Sequence, residues 1–103
     1  MTARVVVPPE VQRLIDRIDA WWRENRSSAP ELFLQELASA CGLVAGAPHI
    51  GRRYPHPTVR EVRRVLLRAT RYHVYYTVHE GAVVLLAVWS GVRGSDPDLT
   101  VPG

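Results

Sequence analysis

The sequence predicts an α+β domain in which a helical hairpin packs on one face of a small twisted antiparallel sheet. Residues 9–46 contain two segments with apolar residues at helical spacing. Residues 60–89 contain three segments typical of β-strands, and a short β-branched run precedes the helices. The predicted order is therefore β-α-α-β-β-β: an N-terminal strand, a helical hairpin and a three-stranded antiparallel meander.

The bulk composition indicates a small globular protein. The chain has 103 residues, which fits a single domain over residues 1–103. No apolar run approaches the roughly 20 residues needed to span a bilayer, and the N-terminus lacks the features of a signal peptide. Because Cys41 is the only cysteine, we expect no disulfide framework and no metal cluster, and we expect no cofactor. The simplest interpretation is a cytoplasmic protein without membrane contact.

The N-terminal third predicts a strand followed by a helix. The run "RVVV" (4–7) is β-branched and ends at Pro8 and Pro9, which cannot continue a central strand. Trp21 and Trp22 diverge by about 100° on a helix, so we expect Trp21 at the margin of the buried stripe. Core is the favoured role for both tryptophans, with a second contact surface as the alternative for Trp21. The predicted stripe consists of Val11, Leu14, Ile15, Ile18 and Trp22.

A polar break, "NRSSAP", separates this helix from a second one. Ser28 followed by Glu31 fits a capping box at the start of the second helix. The helix is predicted over "ELFLQELASACGLVAG" (31–46), with Gly42 or Gly46 at its end. Its predicted buried face consists of Phe33, Leu37, Ala40, Cys41 and Val44, where the thiol is a packed side chain rather than a nucleophile.

The second half of the chain predicts the sheet. Residues 47–58 are rich in proline and predict a loop or at most a short irregular strand. Strands are predicted over 60–68, 72–79 and 82–89, and the turn-rich residues 90–103 should form an extended C-terminal tail. Alternation places Tyr72, Val74, Tyr76 and Val78 on one face and His73, Tyr75, Thr77 and His79 on the other. Because the helices cover one face, we expect the face with His73 and Tyr75 to be at least partly open.

The positive charge is concentrated in one region. All 13 basic residues are arginine, and seven of them lie between residues 52 and 71 beside a single acid, Glu61. Residues 10–36 mix both signs evenly. Such a cluster indicates a one-sided positive surface for an anionic or acidic partner. It also fits an edge strand that charge protects from aggregation, and composition alone supports the two interpretations equally.

Four motifs, in their order and spacing, resemble the RelE/ParE superfamily of small bacterial toxins from toxin–antitoxin modules. They are "WWRENR" (21–26), "APHIGR" (47–52), "VRRVLLRATRYHVYYTV" (62–78) and "LAVWSGVRGSDPDL" (86–99). The resemblance covers roughly residues 4 to 99. It implies a compact α/β toxin that a co-expressed acidic antitoxin neutralises, so we expect a toxin–antitoxin hetero-oligomer.

The superfamily has two branches that need different chemistry. RelE-like members cut messenger RNA on the ribosome with basic residues on the sheet and a late Tyr or His, whereas ParE-like members bind DNA gyrase. Against the RelE-like pattern, His73 replaces a sheet arginine, Arg93 is retained, and Leu99 stands where the aromatic acid is expected. The ending "VRGSDPDL" is similar to the ParE-like one. The resemblance therefore favours a ParE-like gyrase inhibitor, for which catalysis is not expected.

Candidate binding residues follow from the arginine cluster and the helix. We expect the antitoxin to contact Arg60, Arg63, Arg64, Arg68 and Trp21, and the target to contact Arg52, Arg53, Arg71 and Arg93. The antitoxin would pack a helix in a groove, add a strand to the sheet, or both.

Two alternatives stay open. If the protein is a RelE-like ribosome-dependent endoribonuclease, His73, Arg64 and Arg93 are the candidate catalytic residues, because histidine titrates near neutral pH and arginine binds phosphate. The last alternative is a generic nucleic-acid-binding domain whose basic face contacts phosphates. It ranks third because the chain has no recognised nucleic-acid-binding motif.

Overall fold

The computed structural model of the protein describes residues 2–91, which form two helices and five strands. The strands are β1 (Arg4–Val6), β2 (Arg52–Arg53), β3 (Arg63–Leu67), β4 (Tyr72–His79) and β5 (Ala82–Ser90), and the helices are α1 (Pro9–Asn25) and α2 (Leu32–Gly46). Among the described residues, neither helix has the length and apolar character that crossing a bilayer requires. The predicted α+β class and element order are confirmed.

The five strands form one mixed sheet in the order β1-β5-β4-β3-β2. The meander β3-β4-β5 is antiparallel as predicted, whereas β1 pairs in parallel with the start of β5. Parallel pairing is possible here because the helical hairpin separates the two strands in sequence. Gly81, with a φ of 77°, closes the β4–β5 turn in a conformation that glycine adopts without steric cost.

The main hydrophobic core lies between the helices and one face of the sheet. The alternation predicted for β4 is confirmed, since Tyr72, Val74 and Tyr76 face this core. Trp22 is buried, but Trp21 is 45% exposed, so the expectation that both tryptophans are core residues is wrong for Trp21. Its buried members are Val11, Ile15, Trp22, Phe33, Leu37, Val44, Leu67, Val74, Tyr76, Val83, Leu85 and Val88.

The opposite face of the sheet carries a second, smaller core. The segment 54–62 folds over it and places Val59 and Val62 against Tyr75, which is only 2% exposed. The expectation of an open face is therefore wrong at Tyr75, although His73 on the same face is only half-buried. Proline-rich composition predicted a loop at 54–58 but carried no signal that the following valines would cover the sheet.

Two predicted element starts are wrong. α2 begins at Leu32 without a capping box: no side chain caps its first turn, and the N–H groups of Ala29 and Leu32 donate to the carbonyls of Arg26 and Ala29 in tight turns instead. Strand β3 begins at Arg63 rather than at residue 60, because Glu61 has a φ of 58°. That left-handed conformation interrupts an extended strand.

The Tyr76 hydroxyl fixes the loop between α2 and β2. It donates a hydrogen bond to the Pro48 carbonyl at 2.8 Å and accepts one from the Gly51 N–H at 2.9 Å. A Cβ atom on Gly51 would lie 2.5 Å from this hydroxyl, so only glycine fits. Burial raises the pKa of Tyr76, against the lowering effects of the Gly51 hydrogen bond and the Arg63 charge, so the phenol remains a donor.

Glu36 of α2 binds the turn between β3 and β4. Its carboxylate accepts hydrogen bonds from the Ala69 N–H at 2.7 Å, the Thr70 N–H at 3.0 Å and the Thr70 hydroxyl at 2.6 Å. Burial opposes ionisation, but the three hydrogen bonds outweigh it and hold the pKa of Glu36 below its ordinary value. This contact joins the hairpin to the sheet across 33 and 34 residues of sequence.

Removing the Tyr76 hydroxyl should destabilise the fold. We expect Tyr76→Phe to lower the free energy of unfolding by about 1–3 kcal/mol, because the buried Gly51 N–H and Pro48 carbonyl lose their partner. Tyr72→Phe is the matched control, since Tyr72 packs against Phe33 through its ring. Denaturant unfolding of both variants checks this, and equal effects at the two positions would contradict the assigned role.

Glu36 should make stability depend on acid pH. We expect Glu36→Gln to cost about 1 kcal/mol at neutral pH, after allowance for partial exposure, because the amide places an NH2 donor against a backbone donor. The pKa is lower in the folded state, so the stabilisation is complete above about pH 4.3, the ordinary glutamate value, and is lost as pH falls through the folded value.

Unfolding measured across acid pH checks this expectation. The difference between Glu36→Gln and the unchanged protein should shrink as the pH falls. Glu24→Gln, an exposed change on α1, should show no such trend. A pH-independent cost at Glu36 would contradict the carboxylate as its source.

Candidate functional site

Arg64 lies at the centre of a polar and aromatic cluster on the second face of the sheet. Its guanidinium carbon lies 5.3 Å from the Tyr54 ring centre and 5.9 Å from that of Tyr75, and Nη1 donates to the Tyr75 hydroxyl at 3.3 Å. The rings of Tyr54 and Tyr75 meet edge to face at 5.0 Å. Stacking of this kind holds the guanidinium plane in one orientation.

His73 borders this cluster at the end of the sheet. Its ring lies 6.1 Å from that of Tyr75, and a Cβ on Gly91 would lie 3.4 Å from its Cε1 atom. Burial, followed by the positive charge of Arg64, lowers the pKa of His73. The lowered pKa favours the neutral form of the imidazole, and within residues 2–91 no hydrogen bond orients the ring.

Arginines face one another across the β2–β3 edge of the sheet. Arg52 pairs with Arg64 and Arg53 with Arg63 in directly opposed antiparallel positions. Arg63 donates Nη1 to the carbonyls of His49 at 3.2 Å and Gly51 at 2.9 Å, so its charge also holds the preceding loop. The other three guanidinium groups place positive charge on the outer strand and the adjoining face.

The remaining predicted arginines lie on neighbouring turns. Arg60 and Arg53 line one shallow cleft formed by residues 53–62. Arg68 and Arg71 are exposed in the β3–β4 turn, where Arg71 has a φ of 67° and its carbonyl accepts a hydrogen bond from the Gly91 N–H at 2.6 Å. Arg93 lies outside the described residues, as does Leu99.

Trp21 lies in a different place, at a cleft between α1 and the end of β5. Arg26 stacks on it, with the guanidinium carbon 5.3 Å from the ring centre. The cleft is amphipathic, because three aromatic rings and aliphatic side chains share it with Arg17 and Ser90. Its lining is Leu14, Arg17, Ile18, Trp21, Tyr72, Val88, Trp89 and Ser90.

The predicted antitoxin-binding set therefore falls on two surfaces. Arg60 and Trp21 line clefts that share no residue. Arg64 and His73, two of the three candidate catalytic residues, lie on one face and both border the Tyr75 ring. In residues 2–91 no cluster of His, Cys, Asp and Glu has the arrangement of a metal site.

Sequence reasoning missed Tyr54, which forms one wall of the Arg64 cluster. It stood in a segment predicted to be loop, and only the fold of residues 54–62 brings it to Tyr75. The sequence pattern also gave no sign that Arg52 and Arg53 would pair with β3, although it allowed a short irregular strand in this segment.

Comparison with known proteins identifies a matching family and a similar solved structure. A sequence model described as the ParE toxin of the type II toxin–antitoxin system, parDE, matches residues 5–93. Among solved structures, a double arginine-to-alanine mutant of the E. coli toxin RelE in the free state is similar, with a TM-score of 0.58 and 17% sequence identity. The similarity covers 89% of this chain and 86% of that one, and at this identity it concerns the fold. No curated protein sequence matches the chain.

The family match covers both helices, strands β2 to β5 and the last two residues of β1. It agrees with the element order seen in the structure and with the resemblance carried by the sequence motifs. The chain therefore belongs to the ParE toxin family of type II toxin–antitoxin systems.

Proposed function

We propose that this toxin acts by binding DNA gyrase and inhibiting it, and that a cognate acidic antitoxin neutralises it. The observation that carries the proposal is the state of His73. The imidazole is half-buried beside Tyr75, burial and the Arg64 charge lower its pKa, and no hydrogen bond from the described residues orients the ring. The proposed site of action is the cytoplasm, where gyrase is found.

RNA cleavage would need catalytic groups that the described residues of this face do not supply. Attack by a 2′-hydroxyl needs a positioned base, cations for the developing charge and an acid for the leaving oxygen. Arg64 supplies a cation, but Tyr75 is 2% exposed and its hydroxyl already accepts from Arg64. A binding role asks only for an exposed surface of suitable charge, which supports the gyrase proposal.

The target-binding residues proposed are Arg52, Arg53, Arg71 and Arg93. Arg52, Arg53 and Arg71 are all exposed, and none of them forms an ion pair with another described residue. Exposed guanidinium groups without a carboxylate partner among residues 2–91 can pair with an acidic or anionic partner surface.

We propose that the toxin binds its antitoxin through two sets of residues with different chemistry. The cleft around Trp21 would accept an apolar side chain of an antitoxin helix or strand, since aromatic residues in a cleft carry much of the binding energy at interfaces. Arg60, Arg63, Arg64 and Arg68 would attract its carboxylates and set specificity and association rate. The assembly is then a toxin–antitoxin hetero-oligomer.

The alternative function is ribosome-dependent cleavage of messenger RNA. One observation favours it: Arg64, Tyr75 and His73 lie side by side on one face, and a neutral imidazole is the form that accepts a proton. On this alternative His73 is the base and Arg64 binds phosphate.

A paired assay of His73→Ala separates the two functions. We expect the purified toxin to inhibit gyrase supercoiling, and His73→Ala to inhibit it equally, because the proposed binding surface lies elsewhere. We also expect translated messages to stay intact after toxin induction, as read by primer extension. Codon-specific cuts that disappear in His73→Ala, together with unaffected gyrase at large toxin excess, would overturn the proposal.

Shortening Trp21 should weaken the antitoxin complex. We expect Trp21→Ala to raise the dissociation constant roughly 30-fold, the effect of about 2 kcal/mol typical of an interface hot spot. Titration calorimetry with the antitoxin encoded beside the toxin gene measures this. Leu43→Ala is the control, because Leu43 is 57% exposed on α2 and outside the cleft. Equal losses in both variants would remove Trp21 from the interface.

A further inference from the structure

We propose that the arginine edge, defined as Arg52, Arg53, Arg60 and Arg64, binds the phosphodiester backbone of duplex DNA. This inference rests on the proposed function, because gyrase acts on DNA and a toxin bound to it lies near the duplex. It assigns Arg52 and Arg53 of the proposed target-binding set to the DNA of the gyrase complex, which leaves Arg71 and Arg93 for the gyrase protein. The antitoxin carboxylates proposed for Arg60 and Arg64 would compete with DNA for these two side chains.

The arginine edge is built from opposed like charges. Arg52 lies directly across from Arg64, and Arg53 directly across from Arg63. Side chains in such positions are about 5 Å apart at Cβ, and like charges there destabilise a sheet. The two pairs make up the whole of β2, so this strand forms at a cost that a bound polyanion would relieve.

Neutralisation does not come from within the described chain. The ion pairs of residues 2–91 all involve Arg23 of α1, with Asp19 and Glu31. Glu61 is the one acid between residues 52 and 71. It is exposed and pairs with no arginine of the edge. Within residues 2–91, therefore, no acidic side chain neutralises the positive charge of the edge.

The guanidinium group of Arg64 in this edge is already oriented for a ligand. Arg64 stacks against Tyr54 and Tyr75, and only Nη1 is used by the Tyr75 hydroxyl. A fixed planar fork with free N–H groups matches the two oxygens of a phosphate. The entropy that a mobile arginine loses on binding is smaller here, because the side chain is already oriented.

The surroundings of the edge suit a phosphate backbone better than the apolar part of a protein interface. The exposed residues between 52 and 61 are arginine, proline, threonine and glutamate, and no aliphatic or aromatic side chain larger than proline is exposed among them. Exposed Ile50 only flanks this stretch. A protein partner needs buried apolar anchors, which the Trp21 cleft supplies instead, whereas backbone contacts to DNA need charge and N–H donors.

Salt dependence of binding to a short labelled DNA duplex tests the inference on the full-length toxin. Four phosphate contacts give a slope of about −3.6 in a plot of log affinity against log salt. We expect the double variant Arg52→Glu/Arg53→Glu to lose about half of that slope and at least tenfold in affinity. Fluorescence anisotropy at several salt concentrations measures both quantities.

The matched control is Arg4→Glu/Arg13→Glu, which lowers the net charge equally at exposed positions on β1 and α1. Its slope should stay near that of the unchanged toxin. Folding of the edge variant should be intact, because each glutamate then faces an arginine across the sheet. Arg52→Gln/Arg53→Gln repeats the test without new charge, and circular dichroism verifies the fold of all variants.

Several outcomes would overturn the inference. These are no duplex binding, equal losses in edge and control variants, preferential binding of single-stranded RNA, or preferential binding of polyglutamate. The supercoiling assay separates this result from the proposed function: a toxin that inhibits gyrase but fails on duplex DNA refutes the DNA contact alone. A toxin that leaves gyrase active refutes the function itself.

Discussion

The hydroxyl of Tyr76 is the contact on which the functional face depends. It sits on the central strand β4 and reaches through the core to the backbone of Pro48 and Gly51. This fixes where the chain leaves α2, and β2 follows directly after Gly51. The position of Arg52 and Arg53 opposite β3 is thus set by one buried phenol and by the glycine that makes room for it.

Periodicity predicted those parts of the fold in which one residue pattern determines one structure. The alternation of β4 and the stripe of α1 place side chains on the faces observed, since strand and helix periods are fixed by backbone geometry. The start of α2 could not be predicted in the same way. Ser28 had the right spacing to cap it, but turns closed by the carbonyls of Arg26 and Ala29 took its place.

The sequence predicted which residue types form the candidate site better than it predicted how those residues are arranged. Arginine clustering between residues 52 and 71 indicated a positive surface, and His73 was identified by its motif. The cover over Tyr75 depends on Val59 and Val62, whose approach follows from a left-handed residue, Glu61, that no periodicity reveals. Long-range contacts of this kind are set by tertiary packing, which local patterns do not encode.

Each of the three tyrosines of β4 supports a different surface of the molecule. Tyr72 lines the cleft with Trp21, Tyr75 orients Arg64, and Tyr76 fixes the loop before β2. Because these residues share one strand, the amphipathic Trp21 cleft and the arginine edge keep a fixed relation to each other. A protein partner can therefore bind the cleft through burial of apolar side chains. A polyanion can bind the edge through its charge. Neither kind of recognition requires His73 to act as a base.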